Sequence, residues 1–202
     1  TEIMEFTSPE ETAVCNLGSL ALPKFVEVLK IEDLNGNYSN EKPYFNFEKL
    51  RAYTKVLTRN LDIVIDKNFY PTPETRNSNM KHRPIGIGIQ GLADVFAMMR
   101  MPWTSEEAQK LNREIFENIY YAAVEASIER AYEMSKTEYW HNIALENETG
   151  GAFPSYLKSP TANGLLQFDL WNDKPTNTPY LDWSGLKNKM SHFGIRNSLL
   201  VA

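Results

Sequence analysis

Cysteine is nearly absent from these 202 residues: Cys15 is the only one. A single thiol closes no disulfide within these residues, so a reducing, cytoplasmic setting is expected. Histidine is almost as scarce. His82, His141 and His192 stand singly, without the paired spacing of a metal site, and no metal ligand is assigned. No apolar run approaches the ~20 residues of a membrane span. Thr1-Glu2-Ile3-Met4-Glu5 also lacks the basic start and apolar centre of a signal peptide. There is no basic run and the net charge is -5, which argues against a nucleic-acid backbone or an anionic membrane as partner. No internal repeat is visible.

What remains is ordinary globular usage, 42% apolar and 23% charged, on a chain long enough for one full-sized domain or part of a larger one. There is no initiator methionine. The last residues, Ile195-Arg196-Asn197-Ser198-Leu199-Leu200-Val201-Ala202, stop inside what reads as a strand, so a fragment is expected.

Taken in order, Ser8-Pro9-Glu10-Glu11 spells a local helix start, with a serine cap and proline at the first position. Residues 14–22 read as a short strand or the opening of a buried helix, since periodicity alone does not separate the two. Residues 32–44, with Asn35-Gly36-Asn37, Ser39-Asn40 and Pro43, read as a polar surface loop. An amphipathic helix is predicted over 47–67, its apolar face formed by Leu50, Tyr53, Leu57, Leu61 and Val64 and its end set by Pro71 and Pro73. A polar segment through Arg83 follows, then a helix over 92–99. Thr104 to Glu107 forms a capping box that opens the longest helix, running to about residue 134 with Leu111, Ile115, Ile119, Ala122 and Ala126 on its apolar face. Residues 136–161 read as irregular, with Gly150-Gly151 at the tip. Asp182 caps a last helix over 183–193, which Gly194 closes before a final strand. The pattern predicts an α/β fold with more helix than strand.

Three constellations bear on chemistry. Gly86-x-Gly88-x-x-Gly91 matches a dinucleotide fingerprint by letter, but Arg83-Pro84 leaves only Ile85 for the strand that must precede it. Close packing where a strand enters a helix accounts for the glycines better. The histidines do not converge. Cys15, flanked by Val14 and Leu17, reads from composition as an inert core thiol, and Glu2 as a solvated acid.

A wider pattern changes the standing of both residues. Thr1-Glu2-Ile3-Met4-Glu5-Phe6-Thr7-Ser8 and Ala13-Val14-Cys15-Asn16-Leu17-Gly18-Ser19-Leu20-Ala21-Leu22 resemble the catalytic core of the class I ribonucleotide reductase large subunit, eukaryotic and viral type. So do Asn60-Leu61-Asp62, Tyr70-Pro71-Thr72-Pro73-Glu74, the run from His82 through Asp94, Ile115-Phe116-Glu117, Glu125-Ala126-Ser127 and Gly194-Ile195-Arg196-Asn197-Ser198-Leu199-Leu200. The resemblance covers nearly the whole chain. Departures concentrate at 30–46 and 135–160, where loop insertions are expected.

The resemblance implies that residues 1–202 are part of one catalytic domain, a ten-stranded α/β barrel incomplete at both ends. In that family an Asn-x-Cys-x-Glu loop carries the thiyl-radical cysteine, and Thr1-Glu2 fits its last two letters. Glu2 would then be the base that takes the 3'-hydroxyl proton. Cys15 matches one of two cysteines that reduce the substrate and become a disulfide, its partner lying on an earlier strand. The implied substrate is a ribonucleoside diphosphate. The implied partners are the rest of the large subunit, a radical-generating small subunit that contains the metal, and thioredoxin or glutaredoxin as reductant. ATP and deoxynucleotide effectors bind elsewhere, and no cofactor is assigned to this segment. The radical cysteine and the phosphate-binding loop are expected outside the chain. A gene interrupted by self-splicing inserts is one expectation for the boundaries, since such inserts require Ser, Thr or Cys as the next residue and Thr1 qualifies; a partial sequence is the plainer one. The competing class is a non-catalytic helical interaction or scaffold module in which Cys15 is core and Glu2 is surface.

Overall fold

A computed structural model describes residues 6–32, 38–137, 150–176 and 178–201. Strand β1 (Asn16–Ala21) leads through a 3-10 turn (Leu22–Phe25) into the hairpin β2 (Val26–Glu32) and β3 (Tyr38–Phe45). Helices α1 (Phe47–Lys67) and α2 (Pro73–His82) precede β4 (Pro84–Gln90), which runs into α3 (Leu92–Met98) and the long α4 (Glu106–Ser135). Two 3-10 turns, Tyr156–Lys158 and Pro160–Asn163, are followed by α5 (Gln167–Leu170), α6 (Trp183–Phe193) and β5 (Ser198–Val201).

The strands β1, β4 and β5 form a parallel sheet in the order β1-β4-β5, with Asn16 in register with Ile85 and Pro84 with Ser198. Parallel neighbours need crossovers that carry the chain back along the sheet. Here α1 and α2 form one crossover and the segment from α3 to α6 the other. The central β4 is buried from Pro84 to Ile87, as a strand covered on both faces must be. Its Ile85 and Ile87 join Leu20, Leu22, Leu50, Ile65, Ile115 and Ile119 in the main core. A second core lies under α6, where Leu186, Met190 and Ile195 meet Val124, Ile128, Phe153 and Tyr156.

The predicted helices over 47–67 and 183–193 hold to the residue, each with its N-cap in place: Asn46 Oδ1 accepts from Lys49 N at 2.9 Å and Asp182 Oδ1 from Gly185 N at 2.8 Å. The long helix opens one residue later than the Thr104 box predicts, because Ser105 Oγ takes the Ala108 N–H at 3.1 Å. Its predicted apolar face is buried throughout.

Five local expectations change. Ser8 to Glu11 is a turn closed by a two-residue bridge, not a helix start, because the Ser8 hydroxyl caps Glu10 N while Glu11 N and O pair back to Ser8. The region read as a polar loop is in good part β3, whose pairing with β2 places Pro43 opposite Val28. In a two-stranded ribbon each strand keeps an unpaired edge, where a missing N–H is tolerated. The polar segment before Arg83 is helix α2, set by Thr72 at its cap and Pro73 in its first turn. Gly151 is not a tip: it is buried, and a Cβ there would lie 1.8 Å from the Ala131 carbonyl oxygen. On α1 the buried face is Leu50, Thr54, Thr58, Leu61, Asp62 and Ile65, whereas Tyr53 and Val64 are exposed.

Candidate active site

Cys15 stands one residue ahead of Asn16, so it enters the sheet at the level of Pro84 and Ser198, at the N-terminal ends of three parallel strands. Its side chain is half-buried. Glu2, the other residue singled out by sequence, lies outside the described residues.

The segment that carries Cys15 is held from both sides. Upstream, Glu11 is buried, and its carboxylate accepts hydrogen bonds from Lys81 and, through His82 Nε2, at 2.6 Å. The Lys81 bond is the largest influence on this carboxyl and holds it below its ordinary value against the upward push of burial; the His82 bond adds to the lowering. The other ring nitrogen of His82, Nδ1, meets Ser155 Oγ at 2.7 Å. Downstream, Asn16 Nδ2 donates to Asn79 Oδ1 and to the Pro84 carbonyl, both at 3.0 Å.

The corner between α2 and β4 is Arg83, which leaves the helix with φ of 44°. A left-handed backbone is uncommon outside glycine, and here the side chain fixes it. Arg83 is buried and its guanidinium binds Asp62 Oδ1 at 2.6 Å and Asp66 Oδ1 at 2.7 Å. The same Asp62 accepts from Arg130 Nε at 3.0 Å and from Asn197 Nδ2 at 3.0 Å, and it faces Arg196 Nε at 3.5 Å. Burial, reinforced by the Arg83 charge, pulls Arg196 down to about 10, so it stays protonated at neutral pH. Asn197 is tied in turn to Ser127 on α4. One carboxylate thus joins α1, α4, the start of β4 and the start of β5, which fixes the sheet edge where Cys15 sits.

A cavity of about 450 Å³ opens beside this edge, walled by Phe6, Lys81, His82, Phe153, Ser155, Lys158, Ser159 and Ser198. Another, of about 350 Å³, lies among Phe116, Tyr120, Phe168, Trp171 and Trp183 and takes no wall from the Cys15 segment.

The glycine pattern is not a phosphate loop. Gly86 and Gly88 lie inside β4 and only Gly91, with φ of 77°, occupies the turn into α3. A fingerprint needs all its glycines around that turn. Among the described residues no group of three or more His, Cys, Asp or Glu side chains is placed to hold a metal ion. No helix among them is long and apolar enough to cross a membrane.

Sequence reasoning singled out none of Glu11, Asn79, Asp62 or Arg196 as site-forming. The available signal was polar residues at positions that interrupt an apolar helical face, Asp62 above all, but a polar residue on a helix reads as solvated until a distant partner is known.

The model of the family described as "Ribonucleotide reductase, barrel domain" matches residues 1–202. A ribonucleoside-diphosphate reductase large subunit of Plasmodium falciparum (isolate Dd2) is 48% identical over 201 residues, covering 100% of this chain and 21% of the relative. The large chain 2 of Saccharomyces cerevisiae is 47% identical over 201 residues, covering 100% of this chain and 20% of the relative. The large subunit of Arabidopsis thaliana is 46% identical over 208 residues, covering 100% of this chain and 23% of the relative. The chain spans about a fifth of the length of the curated relatives it matches. It belongs to the ribonucleotide reductase large-subunit family, as an α/β segment of the barrel domain.

Proposed function

We propose that this chain supplies part of the catalytic centre of a ribonucleoside-diphosphate reductase, with Cys15 as one of the two cysteines that reduce the substrate and Glu2 as the base at the ribose 3'-hydroxyl. The observation that carries the reading is the placement of Cys15 at the mouth of the parallel sheet, half-buried and bracketed by buried polar anchors, within a family match over the whole chain. An inert core thiol needs no such bracket.

In this reading a thiyl radical supplied with the help of a small subunit removes the 3'-hydrogen of a ribonucleoside diphosphate. The Glu2 carboxylate takes the 3'-hydroxyl proton as the 2'-hydroxyl leaves with a proton as water. Cys15 and its partner thiol give up two electrons and two protons, one proton leaving with the 2'-hydroxyl as water and the other taking the place of that hydroxyl at C2'. Glu2 returns its proton to the 3'-oxygen, so that one S–S bond forms for each C–O bond broken. The 3'-hydrogen returns to the sugar and the radical to its cysteine. Thioredoxin or glutaredoxin recovers the dithiol by exchange, which suits a reducing cytoplasm.

In the full-length subunit assayed with its small subunit, Cys15→Ser is expected to abolish thioredoxin-dependent turnover with an unchanged thermal midpoint. Normal turnover would return Cys15 to the core of a non-catalytic module. Glu2→Gln is expected to lower kcat far more than it raises KM, and a pure binding defect would remove the base role.

A further inference from the structure

We propose that helix α2 positions the Cys15 thiol, with Glu11, His82 and Asn79 as positioning residues for the reduction step. The proposal rests on the redox reading of Cys15 given above. Helix α2 brings little to an apolar core: of its ten residues only Met80 is a sizeable hydrophobe, while Thr75, Ser78 and Asn79 are the ones it buries. What it covers instead is the segment that leads into Cys15.

Four successive attachments join the two. Asn77 Nδ2 donates to the Glu10 carbonyl at 3.0 Å, and Lys81 and His82 hold the Glu11 carboxylate. Thr12 N donates to the Glu74 carbonyl at 3.2 Å, and Asn79 Oδ1 accepts from Asn16 at 3.0 Å. They run along both sides of Cys15. The anchors are themselves backed by the rest of the fold: Asn79 Nδ2 donates to the Tyr70 hydroxyl, which donates to the Ile65 carbonyl of α1 at 2.6 Å. Directional polar contacts, fully satisfied, specify one position where apolar packing would allow several. A thiol that must meet both a sugar carbon and a partner sulfur needs that definition, since a displacement of about 1 Å costs on the order of a hundredfold in rate.

The test uses the full-length subunit with its small subunit, pre-reduced and followed through a single turnover without added reductant. Glu11→Gln and Asn79→Ala are expected to slow deoxynucleotide formation by about tenfold or more while KM for the nucleotide moves by less than about twofold. His82→Gln, which keeps a side-chain donor, is expected to retain more rate than His82→Ala. The combined Glu11→Gln and His82→Ala losses are expected to be less than additive, because both break one link. Wild-type rates in folded Glu11→Gln and Asn79→Ala proteins overturn the proposal, as does a loss confined to KM. If those two fail to fold, the His82 pair decides in the same way, since that side chain is 22% exposed and tolerates replacement. Cys15→Ser in the same assay separates the readings. An active Cys15→Ser removes the redox role itself, whereas an inactive one beside normal Glu11→Gln and Asn79→Ala removes only the role of α2.

Discussion

Asp62 Oδ1 accepts the Arg83 Nη2 hydrogen at 2.6 Å with both side chains shut off from solvent, and this pair holds the corner between α2 and β4. Arg130, Arg196 and Asn197 converge on the same carboxylate, so its loss removes a counter-charge that several groups share. Asp62→Asn is expected to destabilise the fold by about 3–5 kcal/mol. A thermal midpoint of the full-length variant equal to wild type would mean that the other contacts suffice.

The same carboxylate gives the fold an acid limit. Burial, the largest single influence, pushes Asp62 up, but the Arg83 and Arg196 charges and the Arg83 and Arg130 hydrogen bonds together bring it below its ordinary value. A carboxyl depressed in the folded state stabilises that state fully above its unfolded pKa and ceases to do so as pH falls through the folded one. Stability should therefore decline below about pH 4, the range of an unperturbed aspartate. In Asp62→Asn that decline is expected to be shallower, as read by thermal midpoints between neutral and acid pH; parallel curves would assign the acid limit to other groups.

Gly151→Ala tests the close approach of the 150–151 turn to α4. The added methyl would meet the backbone of Ala131, which no rotamer change relieves. The expected cost is about 3 kcal/mol or more, at the upper end for overpacking. It should appear as a lower midpoint, whereas Gly150→Ala, with open space around its Cβ, is expected to cost only the strain of its φ of 58°. Equal effects at the two glycines would refute the distinction.

Neighbouring hydroxyls at the start of α4 should differ sharply. Ser105→Ala removes the acceptor of the Ala108 N–H and is expected to cost about 1 kcal/mol, while Thr104→Ala should stay within about 0.5 kcal/mol. The reverse order would restore the capping box that the sequence spells.

Expressed alone, this chain is expected to self-associate. Among the described residues strands β1 and β5 each offer an outer edge of the parallel sheet, and Leu17, Tyr53, Phe69, Trp103 and Trp171 are exposed. Sedimentation of the purified 202-residue chain measures this directly; a monomer that unfolds cooperatively would refute it.

Much of this was legible in the residues. The helices over 47–67 and 183–193 follow from short-range rules, an apolar stripe and a capping side chain three residues before the amide it meets. The redox reading proposed for Cys15 rests on the motif around it rather than on composition. Helix α2 was not legible, because a helix that binds another segment through polar side chains shows no apolar stripe. Nor was the true buried face of α1: Thr54 and Thr58 are satisfied locally, bonding to Leu50 and Thr54 carbonyls at 2.8 and 2.9 Å, and Asp62 is satisfied by residues on α4, at the corner between α2 and β4 and at the entry to β5.

By itself, then, the sequence determined the α/β class, the main helices, the packing role of the glycines at 86, 88 and 91 and the residues that carry the family pattern, because each depends on neighbours a few positions apart. Only the tertiary structure decided which polar groups become buried. The partners of Asp62 are drawn from 21 to 135 positions away and those of Glu11 from about 70, and burying a charge is favourable only once such partners are in place.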